Sequence, residues 1–154
     1  MPRVESSIHI LAPRDRVIAV ARDNEAFPEF MDDVESIVVR EKSDDGLRVI
    51  SDWVGIVPRF GTRISWTEED IWDLNAGTCT FRQITGDYDQ FEGVWTFTAD
   101  GADTTRFDSM LEYRIEIPLV GGLIQNIIHK TMQSNLDATL KAIKRQCEDT
   151  HSSV

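Results

Sequence analysis

The sequence predicts an α+β domain: a curved antiparallel sheet of six to seven strands wrapped around one long C-terminal α-helix, with two short helices after the first strand. Three observations predict it. From Val34 onward, apolar residues recur with period two between short turns. Beyond Pro118, Gly121 and Gly122 the spacing becomes helical, with Leu123, Ile124, Ile127, Ile128, Met132, Leu136, Leu140 and Ile143 on one stripe. The predicted sheet has one apolar face, and only this last helix is long enough to cover it.

The first strand covers about Val4 to Leu11. Ala12 and Pro13 stop it, and Arg14 to Arg22 reads as a helix with Pro13 at or near its first position. Asp23 and Asn24 can cap a second short helix through about Met31, with Phe27 and Phe30 on one side. Strands follow at about 34–42, 46–56, 62–73, 78–85, 90–99 and 104–117. The turns between them fall at Asp44 to Gly46, Pro58 to Gly61, Asn75 to Gly77, Gly86-Asp87 and Asp100-Gly101. Connections this short imply an antiparallel meander. One domain spans 1–149, and 150–154 reads as a frayed tail.

Strand alternation sorts the faces. Phe91, Gly93, Trp95 and Phe97 point one way, and Glu92, Val94, Thr96 and Thr98 the other. A glycine among aromatics marks a bend or a close approach. Leu47, Val49, Ser51 and Trp53 share a side of their strand, as do Ile64, Trp66, Glu68, Asp70 and Trp72. Phe107, Ser109, Leu111, Tyr113, Ile115 and Ile117 form the apolar face of the last strand.

Aromatics on such faces either fill a core or line a pocket, and the set beside Gly93 favours a pocket. Its candidate ligand-binding residues are Phe27, Phe30, Trp53, Trp66, Phe81, Trp95, Phe97, Tyr113, Ile128, Met132 and Asn135. Phe27 and Phe30 either gate an entrance or cap the sheet end. Glu68 and Asp70 are the candidate catalytic residues: a carboxyl facing an apolar cavity has its pKa raised and suits acid/base work. The alternative is a strand that bends outward near Glu68, leaving Glu68, Glu69 and Asp70 solvated. His129 is placed at the flank of its helix, and Arg82, opposite Phe81 in facing, on the surface beside an acid.

The formal charge of −11 disfavours nucleic acid and anionic membrane surfaces as partners. No apolar run approaches membrane-spanning length, so no stable membrane insertion is expected. The N-terminus carries no signal-like segment, and Cys79 and Cys147 are too few for a disulfide framework, which together point to the cytoplasm. His9, His129 and His151 have no metal-ligand spacing, and neither metal nor cofactor is expected. The first strand leaves an edge that suits a monomer or a homodimer.

Several segments resemble one superfamily in the correct order: Ser7 to Pro13 leading into a helix, Ala26 to Met31, Ser65 to Asp70, Gly86 to Phe97, and Asn135, Leu136 and Ala142 on the last helix. This is the START-like helix-grip superfamily (Bet v 1-like, SRPBCC), and the chain most resembles its coenzyme Q-binding and polyketide cyclase/dehydrase branch. The resemblance implies an interior cavity holding a hydrophobic small molecule such as a quinone, lipid or polyketide. It also implies, as an alternative, an aromatase/cyclase acting on a poly-β-ketone. Trp66, Trp95 and Asn135 match that enzyme pattern. Glu68 stands where the pattern has Ser, Asp70 where it has Arg, and Val34 where it has Tyr. A carboxylate in place of a cation reverses the electrostatics that stabilise an enolate. Glu68 is then the candidate acid/base. A third function, as a protein-interaction module, follows from relatives described as ribosome-associated toxins.

Overall fold

The structure, a computed structural model, describes residues 2–57, 62–115 and 122–152. The expected turn at Pro58 to Gly61, the strand end at 116–117, Pro118, Gly121 and the last two residues lie outside them. Seven strands form one sheet: β1 (Arg3–Ile10), β2 (Val34–Lys42), β3 (Arg48–Val57), β4 (Thr62–Asp73), β5 (Thr78–Gly86), β6 (Gln90–Ala99) and β7 (Thr105–Arg114). Each pairs antiparallel with its neighbour in the order β1-β7-β6-β5-β4-β3-β2. The meander expected from the short turns is therefore present, closed by β1 returning beside β7. The sheet is curved around the long C-terminal helix.

Helix α1 (Arg14–Arg22) starts directly after Pro13 and buries Val17, Ile18 and Ala21. The second helix is a 3-10 helix over Asn24–Glu29, shorter than expected, and Asp23 makes no side-chain cap bond. Pro28 lies inside it and cannot donate a backbone hydrogen bond, which suits a short helix. Helix α2 (Gly122–Ser152) continues into the segment read from sequence as a tail. Its inward stripe holds Met132, Leu136, Leu140, Ile143 and Cys147, all buried.

Polar contacts hold α2 toward the β1 edge. Ser6 Oγ donates to Asp137 Oδ1 at 2.7 Å, Gln133 Nε2 to the Glu5 carbonyl at 2.7 Å, and Lys144 Nζ to the His9 carbonyl at 2.8 Å. Helix α1 packs on α2 as well. Beneath this anchored region the core closes: Phe97 stacks on Phe107 at 4.5 Å between ring centres, with Trp72 on its other flank at 6.0 Å. Over β3 to β6 the helix stands away from the sheet, and the space left is a cavity.

Two glycines shape the sheet there. At Gly86 (φ 153°) a Cβ would lie 2.5 Å from Trp66 Cβ, so only glycine lets β5 pass this close to β4. At Gly93 a Cβ would lie 2.2 Å from the Met110 carbonyl oxygen and 2.6 Å from Phe81 Cζ. The close approach expected at Gly93 is thus made by the protein's own Phe81 ring and by β7.

Candidate ligand cavity and its carboxyl pair

The cavity encloses about 500 Å³ between the concave face of the sheet and α2. That is within the usual range for small-molecule sites, roughly 300–1,000 Å³. Ile64, Trp66, Glu68, Asp70 and Trp72 all line it, the unbroken alternation of β4. From α2 come Ile128, Met132, Asn135 and Thr139, with Thr131 and Leu136 beside them, at helical spacing. Strands β3, β5 and β6 add Trp53, Phe81, Phe91 and Trp95, and the 3-10 helix adds Phe27. All four tryptophans of the chain line this one space.

The rings contact one another around the wall. Trp53 stacks on Trp66 at 5.6 Å, Phe91 meets Trp66 at 5.3 Å and Phe81 at 5.8 Å, and Phe81 meets Trp95 at 6.0 Å. Phe27 completes the circuit, 6.0 Å from Trp53 and 6.4 Å from Trp95. Such offset and edge contacts fix the rings in place.

Three of the candidate ligand-binding residues are not among the lining residues. Phe30 packs behind Phe27, 5.8 Å away. Phe97 is sealed in the core below the cavity. Tyr113 is buried, with its hydroxyl 3.1 Å from His129 Nδ1 of the exposed flank of α2. Conversely, Tyr88 lines the cavity although it lies in a turn with no periodicity. Gln83 holds it there: its Nε2 donates to the Tyr88 carbonyl at 2.8 Å, and its Oε1 accepts from the Tyr88 N–H at 3.2 Å. The Tyr88 hydroxyl reaches Met132 Sδ at 3.8 Å.

Glu68 and Asp70 face the cavity, only 5 % and 7 % exposed. The irregularity allowed for near Glu68 does occur, between Thr67 and Glu68, but β5 absorbs it with one extra residue, Ile84. Strand β4 stays in register with β3, so both carboxyls keep Trp66's side. The outward, solvated alternative is therefore overturned for Glu68 and Asp70. Glu69 points the other way, beneath Arg48 (2.6 Å) and Arg82 (3.0 Å), which hold its carboxyl below the usual range. Arg82 is the acid-paired surface residue expected.

The carboxyl pair has a different electrostatic setting. Burial, together with the Asp70 charge, raises the Glu68 pKa well above the ordinary value; burial raises Asp70 too. Two adjoining carboxyls in an apolar setting do not both ionise. Of the two, Glu68 is pushed further toward its protonated form, by burial and by the Asp70 charge beside it. Glu68 Oε1 also accepts from Trp66 Nε1 at 2.8 Å, and Trp53 Nε1 donates to the fully buried Ser51 Oγ at 2.9 Å. Both indole donors are thus engaged by the wall itself. Among the described lining residues, Arg63 is the one basic side chain, and it forks onto both oxygens of Glu35.

Among the described residues, no group of three or more His, Cys, Asp or Glu is arranged to hold a metal ion, and no helix is long and apolar enough to cross a membrane. Cys79 and Cys147 are buried free thiols.

Solved structures share this architecture. The chain is similar to TTHA0849 from Thermus thermophilus, at 33 % identity and a TM-score of 0.90 over 99 % of this chain and 100 % of that one. It shares its fold with the Zhui aromatase/cyclase from Streptomyces sp. R1128, at 18 % identity and a TM-score of 0.86 over 95 % and 93 % of the two chains. A START superfamily protein from Mycobacterium smegmatis has the same fold, at 16 % identity and a TM-score of 0.84 over 97 % and 99 %. No curated protein matches the sequence. The model of the family described as polyketide cyclase / dehydrase and lipid transport matches residues 10–140, most of the sheet and most of the covering helix, and the chain belongs to that family.

Proposed function

We propose that this protein binds a hydrophobic small molecule, of the size of a quinone headgroup, a lipid segment or a folded polyketide, in the cavity beneath α2. One observation carries the proposal: a space of about 500 Å³ whose wall is a contacting circuit of aromatic rings. Ring faces left in contact with a cavity gain on burial by an apolar ligand, at roughly 25 cal/mol per Å² removed from water. The family's description, with its cyclases and lipid transporters, supports the same class of ligand.

The placement of all four tryptophans gives a direct test. Titration with quinones, lipids and aromatic polyketides should quench or shift intrinsic fluorescence saturably, and native mass spectrometry should show the added mass. No fluorescence change and no thermal stabilisation across the panel would sink the proposal.

An enzymatic reading has one observation in its favour, the two buried carboxyls of Glu68 and Asp70 that line the cavity. Acid/base work of the aromatase/cyclase kind would run through Glu68 and Asp70. Glu68→Gln should then abolish turnover of an offered poly-β-ketone while the fold persists; unchanged turnover removes this reading.

A further inference from the structure

We propose that the cavity selects a ligand bearing a protonated amine on an apolar aromatic body, with the ammonium bound at Asp70. The inference rests on the cavity being a ligand site, and names the chemistry of what enters it.

Hydrogen-bonding capacity at Asp70 points there. A quinone, ester or polyketone presents acceptors, and so needs donors in the wall. Two of the wall's indole donors are already engaged, Trp66 Nε1 with Glu68 and Trp53 Nε1 with Ser51. Asp70 itself adds acceptor capacity facing the cavity. An ionised carboxylate offers about four lone-pair sites. Asp70 is more than nine-tenths buried, and its Oδ1 has no hydrogen-bond partner among the described residues. An unsatisfied buried acceptor is costly to keep out of water, and a ligand donor would relieve it.

Charge points the same way. Among the described lining residues, Asp33, Glu68, Asp70 and Asp87 face Arg63 alone, and Arg63 is paired with Glu35. No basic side chain of that lining compensates the charge that the carboxyl pair retains. An organic cation would compensate it, and a carboxylate or phosphate ligand would be repelled. The rings beside Asp70 suit a cation too. Phe81 is its cross-strand partner and Trp72 its next neighbour on the same face of β4, both lining the space. Aromatic faces attract a desolvated ammonium through the ring quadrupole. The overall charge of −11 adds a long-range field of the same sign.

The test uses one ring system carrying three charges: naphthylmethylamine, naphthylmethanol and naphthoate, titrated calorimetrically into the intact protein near neutral pH. The amine should bind at least about tenfold tighter than the alcohol, and naphthoate weakest. Asp70→Asn, checked for folding by its thermal transition, should bring amine and alcohol within about threefold of each other. The wild-type comparison needs no variant and stands if Asp70→Asn does not fold. Equal binding of alcohol and amine to the wild type, or an amine preference that survives in folded Asp70→Asn, overturns the inference and leaves the cavity reading intact. If none of the three probes binds and the fluorescence panel is also silent, both fall together.

Discussion

Gly93→Ala puts the packing of the cavity wall to a quantitative test. An added Cβ would sit 2.2 Å from the Met110 carbonyl oxygen and 2.6 Å from Phe81 Cζ, against ordinary contacts of 3.4–4 Å. One obstacle is a ring that can tilt; the other is the backbone of β7, hydrogen-bonded on both sides to β6 and β1. Overpacking of this kind costs about 1–3 kcal/mol, and a backbone obstacle puts it near the upper figure. Replacing glycine in a strand returns roughly 0.5–1 kcal/mol of backbone entropy. The net expectation is a loss of about 2 kcal/mol. For a domain of this length that lowers Tm by roughly 4–8 °C. Circular dichroism melts of the wild type and Gly93→Ala measure it. Adding Phe81→Ala should make the double variant less unstable than the sum of the singles, because the ring's share of the clash is gone while the Met110 share persists. An unchanged or raised Tm for Gly93→Ala would refute the assignment of this glycine to close approach.

Two further outcomes follow from the titrating groups. Glu68 binds its proton more tightly folded than unfolded, so its contribution to stability is full below the ordinary glutamate pKa and is lost as pH rises toward the raised folded value. The Tm of Glu68→Gln relative to wild type should therefore climb as pH rises above the ordinary glutamate pKa, and a flat difference would refute the buried proton. Burial pushes the Cys147 thiol up to about 11 and Cys79 higher still. Neither should react with a thiol-specific disulfide reagent in the native protein near neutral pH, and both should react in denaturant; rapid labelling of the folded state would show that the core opens.

The sequence reveals which residues share a face far better than where along that face the cavity ends. Alternation puts Glu68 and Asp70 beside Trp66, and the structure keeps them there. What alternation could not show is the extra residue at Ile84 in β5, which lets β4 run straight. A bulge is a property of two paired strands, and one strand's pattern does not contain it. Phe97 shares Trp95's face but is packed in the core, because α1 and the β1 edge draw α2 down at that end. Tyr113 is likewise on the predicted face, yet its hydroxyl turns to His129. Tyr88 escapes any periodic reading, since two hydrogen bonds from one glutamine side chain, not a strand, place it.

The carboxyl pair is hard to explain as part of a core. Leucine or valine at 68 and 70 would bury apolar area against Trp66, Trp72 and Phe81, while the acids incur desolvation that one shared proton only partly offsets. Even Trp66 turns its N–H to satisfy Glu68 instead of facing the cavity. The resemblance to aromatase/cyclases places a cation at position 70, where it would oppose the negative charge of an enolate. Here the same wall position carries Asp70, and Arg48 and Arg82, on its neighbours' outer faces, serve Glu69 on the far side of the sheet. The carboxyl pair thus lies inside beside no unpaired basic side chain of the described lining, while Arg48 and Arg82 lie outside. A chamber so polarised is suited to hold positive charge, and a chemistry that builds negative charge would work against it.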